Sequence, residues 1–202
     1  LLVSVGIVVN VVTTTGIGNT LSLMITDWAN GNLLLIIFLI AITSLVLGMG
    51  LPVTAAYIVM ATLSAPAIYD LIIQARLIEV ITTGGVPSSA AAVVELVAPD
   101  QAALLGVPMS NADAASLVAS IPWDLLYSMI DQTLDPTVLA AALLSAHKLI
   151  YRLTQDRKVT PPVCLTDFAA AAIAKTPHMI TGLMAWKIAK GLYIIPLLIA
   201  YT

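Results

Sequence analysis

The longest uncharged stretch of the chain lies between Asp27 and Asp70 and contains 42 residues. Its apolar residues fall into two runs, roughly 33–47 and 53–69, with Leu47-Gly48-Met49-Gly50-Leu51-Pro52 between them. Each run is a little shorter than the ~20 apolar residues that span a bilayer, and the glycines and proline would leave backbone groups unsatisfied in hydrocarbon. Two short apolar helices meeting at such a break are typical of a re-entrant hairpin, which holds ions or substrate in secondary transporters. Two buried helices joined by a tight turn are the alternative.

A second interruption, Val159-Thr160-Pro161-Pro162-Val163, divides another helical pattern near the end of the sequence. A double proline cannot continue the preceding helix, because it lacks two backbone donors and clashes with the turn before it. The pattern predicts that the helix resumes over Cys164–Ala174 and ends at Lys175-Thr176-Pro177. We therefore expect a discontinuous helix, whose ends and free carbonyls bind ions near the middle of a membrane.

Three parts follow from these patterns. Residues 1–70 hold a leading transmembrane helix and the hairpin, and residues 71–136 form a module of short amphipathic helices punctuated by glycines and prolines. Residues 137–202 hold the broken transmembrane helix, an interfacial amphipathic helix at 178–190 and the start of a last span. The apolar runs of the middle part are too short to span, so we expect this part to be an extramembrane helical insertion.

Charge is distributed unevenly between these parts. Residues 71–136 hold seven acidic residues and the single base Arg76, whereas residues 147–190 hold seven bases and only Asp156 and Asp167. Because Lys and Arg accumulate in cytoplasmic flanks, the asymmetry favours the side opposite the cytoplasm for 71–136. Within that segment, Pro87-Ser88-Ser89 and Ser110-Asn111-Ala112-Asp113 are expected helix starts.

Composition indicates an all-α integral membrane protein with several spans. The chain is 60% hydrophobic and 9% charged, against about 25% charged in soluble proteins, and its mean hydropathy is +1.03. It begins in an apolar run without an initiator Met or a basic leader, so we expect no signal peptide and interpret it as a C-terminal piece of a larger membrane protein. The one cysteine, Cys164, excludes an intrachain disulfide.

Several function classes are excluded by what the sequence lacks. It has no basic stripe with interleaved aromatics, as nucleic-acid binding requires. It also has no set of nucleophile, base and orienting residue, no metal-ligand cluster and no phosphate-binding glycine loop. We therefore expect no enzyme activity and no cofactor.

Polar atoms at both breaks suit a hard cation. Thr54 follows the first break and Thr160 lies in the second, and neutral oxygens suit sodium better than a soft metal. Asp156 and Asp167 lie within the predicted membrane segment, where an acid is a functional candidate by default. Proton coupling is the function that we assign to them as a hypothesis.

The two breaks resemble those of the fused large permease of TRAP (tripartite ATP-independent periplasmic) transporters, and within that family the branch that works with TAXI-type solute receptors. The resemblance covers most of residues 1–70 and 140–202. The matching strings are Leu47-Gly48-Met49-Gly50-Leu51-Pro52-Val53-Thr54-Ala55-Ala56-Tyr57-Ile58, Val159-Thr160-Pro161-Pro162-Val163, Val11-Val12-Thr13-Thr14-Thr15-Gly16-Ile17-Gly18, Phe168-Ala169-Ala170-Ala171-Ala172-Ile173-Ala174-Lys175-Thr176-Pro177, Thr181-Gly182 and Ala185-Trp186-Lys187.

This resemblance implies an elevator-type secondary transporter of the ion-transporter superfamily, of which the chain would be one inverted-repeat half. It further implies import of small organic carboxylates into a bacterium across its inner membrane, driven by a Na⁺ or H⁺ gradient. The implied partners are a periplasmic TAXI-type solute-binding protein, the rest of the permease with its small membrane subunit or fused segment, and the lipid bilayer. The residues implied to bind cation and substrate are Gly48, Met49, Gly50 and Thr54 at the hairpin tip and Thr160, Pro161 and Pro162 at the helix break.

The sequence departs from the family pattern around the second break. Four bases precede it, Lys148, Arg152, Arg157 and Lys158. The last two lie within three residues of the proposed sodium site, and they would oppose sodium binding by several kcal/mol if desolvated. Either they reach an interface, or the site is proton-coupled, or this copy is impaired. Asp167 among alanines is also a departure, and it could neutralise one of these bases.

Two other functions remain open at this stage. A degenerate permease could act as a non-transporting membrane scaffold that packs with partners through its acidic module. An ion channel would need a polar stripe along a pore, which the sequence does not offer. The breaks distinguish a transporter from a scaffold, because only a transporter needs residues 48–52 and 160–162 to converge on one cavity.

Overall fold

The computed structural model describes residues 2–16, 20, 24, 28, 32–48, 53–96, 99–161 and 164–201. These residues form helices joined by turns, and no strand occurs among them, which confirms the expectation of an all-helical protein. The helices are α1 (Leu2–Thr15), α2 (Leu33–Gly48), α3 (Val53–Thr82), α4 (Ser88–Glu95), α5 (Pro99–Ala102), α6 (Asn111–Ser120), α7 (Trp123–Thr133), α8 (Pro136–Asp156), α9 (Leu165–Ala174), α10 (His178–Ile188) and α11 (Ile194–Tyr201), with 3-10 turns at Arg157–Val159 and Ala189–Tyr193.

Two compact units divide the chain. Unit 1 comprises Leu1–Ile68 and Leu144–Thr202, and unit 2 comprises Tyr69–Leu143. Unit 2 overlaps the predicted extramembrane part, 71–136, although its being an insertion stays a prediction. In unit 1, α2 packs against α11 and against the 3-10 turn at 157–159, and α9 packs against α10.

Helix α3 is longer than the sequence analysis expected. We predicted an apolar arm ending near residue 69, but the helix continues without interruption to Thr82. Asp70 does not end it, and the following turns hold good helix formers, including an Arg76–Glu79 ion pair of 3.1 Å one turn apart. The first true breaker is Gly84, whose φ of +70° belongs to a conformation that glycine adopts freely.

Unit 2 has its own apolar core. Its members come from α3, α4, α6, α7, the first half of α8 and the turns between these helices, and the fully buried ones include Leu77, Leu105, Met129 and Ile130. Two predicted helix starts are confirmed here: α4 begins at Ser88, and Ser110 caps α6 by accepting the Asp113 N–H at 3.2 Å.

The start of α8 is defined by a second cap. The Asp135 carboxylate accepts hydrogen bonds from the Thr137 hydroxyl (2.6 Å) and the Thr137 N–H (2.7 Å), and these bonds lower the pKa of Asp135. Pro136 takes the first helical position, where its missing N–H costs nothing.

Two helical stretches among the described residues are long and apolar enough to cross a membrane, Val53–Thr82 and His178–Ile199. The second stretch combines α10, a 3-10 turn and α11, which the sequence analysis divided into an interfacial amphipathic helix and a separate span. Helix α10 is not amphipathic in the structure, because the exposed Lys187 lies on the same face as the exposed apolar side chains of Met179, Ile180 and Leu183. Its interfacial position stays a prediction.

Helices α9 and α10 approach closely at Gly182, which is buried. A Cβ atom at this position would lie 2.9 Å from Cys164 Sγ and 3.4 Å from Phe168 Cε1. Only glycine therefore fits without displacing the cysteine at the start of α9.

We expect Gly182→Ala to lower the free energy of unfolding by roughly 1–3 kcal/mol, the usual cost of overpacking a filled site. Thermal unfolding of the purified protein measures this loss. Adding Cys164→Ala to the Gly182→Ala variant should restore much of it, because the truncated side chain leaves room for the new methyl group. An unchanged melting temperature in the single variant would contradict this packing.

Candidate functional site at the helix break

Thr160 lies just after the 3-10 turn that ends α8. The prolines that follow supply no backbone N–H, so the chain leaves the helix here, and α9 begins only at Leu165. The Thr160 carbonyl accepts the Cys164 N–H at 3.2 Å, which closes a turn around the break. The predicted interruption and the predicted resumption of the helix are both confirmed.

The side chain of Thr160 joins two elements that are distant in sequence. Its hydroxyl donates to the backbone carbonyl of Asp156 at 2.7 Å, and the Tyr193 hydroxyl lies 2.5 Å from the same Thr160 oxygen. The bond to Asp156 satisfies a carbonyl of the last helical turn, which has no partner within its helix. The bond to Tyr193 ties the break to the 3-10 turn at Ala189–Tyr193.

Asp156, the last residue of α8, is buried, with 5% of its surface exposed. One carboxylate oxygen, Oδ1, lies 3.8 Å from Arg152 Nε one turn earlier, too far for a hydrogen bond. The other oxygen, Oδ2, is buried and has no hydrogen-bond partner among the described residues. A buried carboxylate oxygen without a partner is costly, so the site has unused capacity to hold a proton or a cation.

Asp156, Thr160 and Tyr193 line a cavity of about 160 Å³ within unit 1. Its wall combines α2, the end of α8, the break and the turn before α11, through Ala41, Ile42, Leu45, Leu153, Asp156, Thr160 and Tyr193. Among the described lining residues, Asp156, Thr160 and Tyr193 carry polar side chains and the others are apolar. Such a cavity places a few polar groups among apolar side chains, where electrostatic interactions are stronger than in bulk water.

The predicted site residues separate into three groups. Asp156 and Thr160 meet in the cavity, and Gly48 ends α2, one turn beyond the lining residue Leu45. Thr54 is exposed in the first turn of α3, and Asp167 lies in the first turn of α9; neither is among the described lining residues. Pro161 follows Thr160 in the turn, and Met49, Gly50 and Pro162 lie outside the described residues.

Sequence reasoning missed Tyr193 and the apolar wall from α2. A weak signal for Tyr193 was present, because a tyrosine inside an apolar segment needs a partner for its hydroxyl. Nothing in the sequence indicated that this partner would be Thr160, 33 positions away. The pairing of Arg152 with Asp156 could have been inferred from their spacing of four on a helix.

The donor set indicates what the cavity can hold. No group of three or more His, Cys, Asp or Glu side chains able to bind a metal occurs in the part of the chain that the structure describes. Carboxylate and hydroxyl oxygens instead suit a hard cation or a proton.

A family model described as "Tripartite ATP-independent periplasmic transporter, DctM component" matches residues 1–202. No curated protein and no solved structure matches the chain. Because the family model covers the whole chain, this protein belongs to the DctM family of TRAP transporter components, which are integral membrane permeases and not enzymes.

Proposed function

We propose that this permease imports small organic carboxylates across the bacterial inner membrane in symport with Na⁺ or H⁺, and that the cavity at the break binds the coupling ion. Membership of the family implies a periplasmic binding protein and a membrane partner, and we propose that the binding protein is of the TAXI type. The observation that carries the proposal is the meeting of the buried Asp156 carboxylate and the Thr160 hydroxyl in one cavity.

Three features of the cavity favour a cation. It lies at the C-terminal end of α8, where the helix dipole is negative. The Asp156 carboxylate supplies a full negative charge, and its Oδ2 atom has no hydrogen bond among the described groups. The single Thr160 proton is directed to the Asp156 carbonyl, so the hydroxyl oxygen can offer a lone pair to the cavity.

Ion binding would link two elements of the proposed transport domain, the hairpin and the broken helix. The wall from α2 belongs to the proposed hairpin, and Thr160 belongs to the proposed broken helix. A cation between them would draw the hairpin onto the break, and substrate released by the binding protein would be enclosed beside it. The proposed transport domain would then carry both through the membrane.

The scaffold hypothesis makes the opposite demand on this region. A non-transporting protein gains nothing from a buried carboxylate oxygen without a partner, whose desolvation costs roughly 1–3 kcal/mol. The cost is understandable if the site is filled during transport. This contrast supports transport over scaffolding, and uptake measurements decide between them.

The test is uptake of radiolabelled short-chain carboxylates into proteoliposomes that contain the full-length permease, its membrane partner and its binding protein. We expect uptake to follow an imposed sodium or proton gradient. Thr160→Val should reduce the apparent ion affinity roughly threefold to tenfold, because one hydroxyl ligand is lost at nearly constant shape.

Thr62→Val is the matched control, because the Thr62 hydroxyl is also partly buried and donates to a carbonyl of its own helix, that of Val59, at 2.9 Å. Thr62 lies outside the described lining of the cavity, so the ion affinity of the Thr62→Val permease should stay unchanged. Folded protein that takes up no carboxylate under either gradient would favour the scaffold.

A further inference from the structure

Tyr193 is the one described lining residue that comes from the turn before the last helix. It ends the 3-10 turn at Ala189–Tyr193, inside the stretch His178–Ile199 that is long and apolar enough to span a membrane. Its hydroxyl has the Thr160 oxygen as a partner at 2.5 Å. A hydroxyl in such a segment needs a partner, and the choice of this partner ties the last span to the break.

The directions of the two hydrogen bonds follow from counting protons. A threonine hydroxyl has one proton, and the Asp156 carbonyl can only accept, so the Thr160 proton lies on the 2.7 Å bond to that carbonyl. The Tyr193 hydroxyl must then donate to Thr160. The result is a chain of two hydrogen bonds, in which the Tyr193 hydroxyl donates to the Thr160 hydroxyl and the Thr160 hydroxyl donates to the Asp156 backbone carbonyl. Successive bonds in such a chain strengthen one another.

This direction determines what Thr160 offers to a ligand. With its proton committed and one lone pair taken by Tyr193, the oxygen has one lone pair left. The Thr160 oxygen can therefore coordinate a cation or accept a hydrogen bond, but it has no proton to donate to a carboxylate. The same hydrogen-bond chain holds the Thr160 side chain in place between the end of α8 and the start of α9.

We propose that Tyr193 is a positioning residue for the coupling ion, acting through Thr160: its donated hydrogen bond fixes the place and the polarity of the Thr160 hydroxyl. This inference rests on the proposed ion site and deepens it. It assigns to the last span a function in ion binding, although Tyr193 itself need not touch the ion.

The experiment measures ion binding without requiring a substrate. Full-length permease in detergent is unfolded by heat in a series in which NaCl replaces choline chloride at constant ionic strength, and in a sodium-free pH series. A ligand that binds the native state raises the melting temperature with its concentration. Tyr193→Phe keeps the ring and removes the donated bond. Tyr151→Phe is the matched control, since Tyr151 lies on α8 with an exposed ring that contacts Tyr57 and does not line the described cavity.

We expect Tyr193→Phe to move the rise of the melting temperature to sodium concentrations roughly threefold to tenfold higher, or to shift a proton-dependent midpoint downward by about 0.5–1 pH unit. The slope of the rise at high sodium should be retained, and Tyr151→Phe should behave like the wild type. In a Thr160→Val background, Tyr193→Phe should have no further effect.

Each of the other results would contradict a specific part of the proposal. Wild-type protein without sodium or proton dependence would overturn the proposed ion site itself. Ion dependence that Tyr193→Phe leaves unchanged would overturn only the positioning by Tyr193. A further loss in the Thr160→Val background would show that Tyr193 does not act through Thr160. A Tyr193→Phe protein that fails to fold would also contradict the inference, because the hydroxyl would then support the fold and not the ion.

Discussion

Asp156→Asn is expected to abolish ion-driven uptake and to weaken cation binding roughly tenfold to hundredfold, the magnitude of a lost interaction with a charged group. The amide keeps the shape of the carboxyl group, so the cavity and the Thr160 bond to the Asp156 backbone carbonyl should persist. What disappears is the negative charge, which is the strongest attraction that the cavity offers to a cation.

The same substitution acts on the ion-free protein in two opposing ways. A neutral amide removes the desolvation cost of the buried Oδ2, which has no hydrogen-bond partner in the part of the chain that is described. It also removes the charge opposite Arg152, whose mostly buried side chain approaches Asp156 Oδ1 to 3.8 Å. Because the two effects oppose each other, we expect the melting temperature without ions to change little, while the ion-dependent increase is lost.

Asp167→Asn is the matched control for this prediction. Asp167 also carries a buried oxygen without a partner among the described groups, and the sequence analysis named both acids as proton-coupling candidates. The structure separates them, because Asp156 lines the cavity and Asp167 is not among its described lining residues. Equal losses of ion-driven uptake in the two variants would contradict the assignment to Asp156.

The breaks in this protein could be predicted because their causes are local. Pro161 and Pro162 lack the donors that a helix needs, and Ser110 supplies the oxygen that an exposed helix start lacks. Each signal acts within about one helical turn. The sequence therefore predicted the end of α8 and the starts of α4 and α6 closely.

The length of α3 and the composition of the cavity depend on less local causes. The sequence analysis ended the hairpin arm near Asp70, because a charge marks the end of an apolar run. Helix propensity and the packing of Ile73, Leu77 and Ile81 into the core of unit 2 instead carry α3 to Thr82. The contact of Tyr193 with Thr160 is set by tertiary packing, which no periodicity in the sequence records.

The bases near the break take on a more specific meaning in the structure. The sequence analysis named four bases before the break, Lys148, Arg152, Arg157 and Lys158, and expected the two nearest to oppose sodium if desolvated. The structure distinguishes two of them: the Arg152 side chain is mostly buried and approaches Asp156, whereas Lys148, one turn earlier, is exposed. The distance and the burial of Arg152 make it the stronger influence on the site, since solvent screens an exposed charge.

Arg152→Gln is accordingly expected to tighten cation binding about tenfold. At 3.8 Å, two unit charges interact by about 4 kcal/mol at an effective dielectric constant of 20, and partial exposure of Arg152 reduces this value. A cation that binds Asp156 must compete with the arginine, so removing the arginine charge should favour the ion. The measurement is the sodium or proton dependence of the melting temperature, and we expect its rise to begin at lower sodium or at higher pH.

Lys148→Gln is the matched control, with a charge of the same sign on the same helix face but exposed and a turn further from Asp156. Its effect on ion affinity should stay below about twofold, since screened charges interact weakly.

A different result for Arg152→Gln would assign the arginine to the substrate. Arg152 Nε is buried without a hydrogen-bond partner among the described residues, and weaker carboxylate uptake in Arg152→Gln with unchanged ion binding would make the arginine an anion ligand instead of a competitor of the coupling ion.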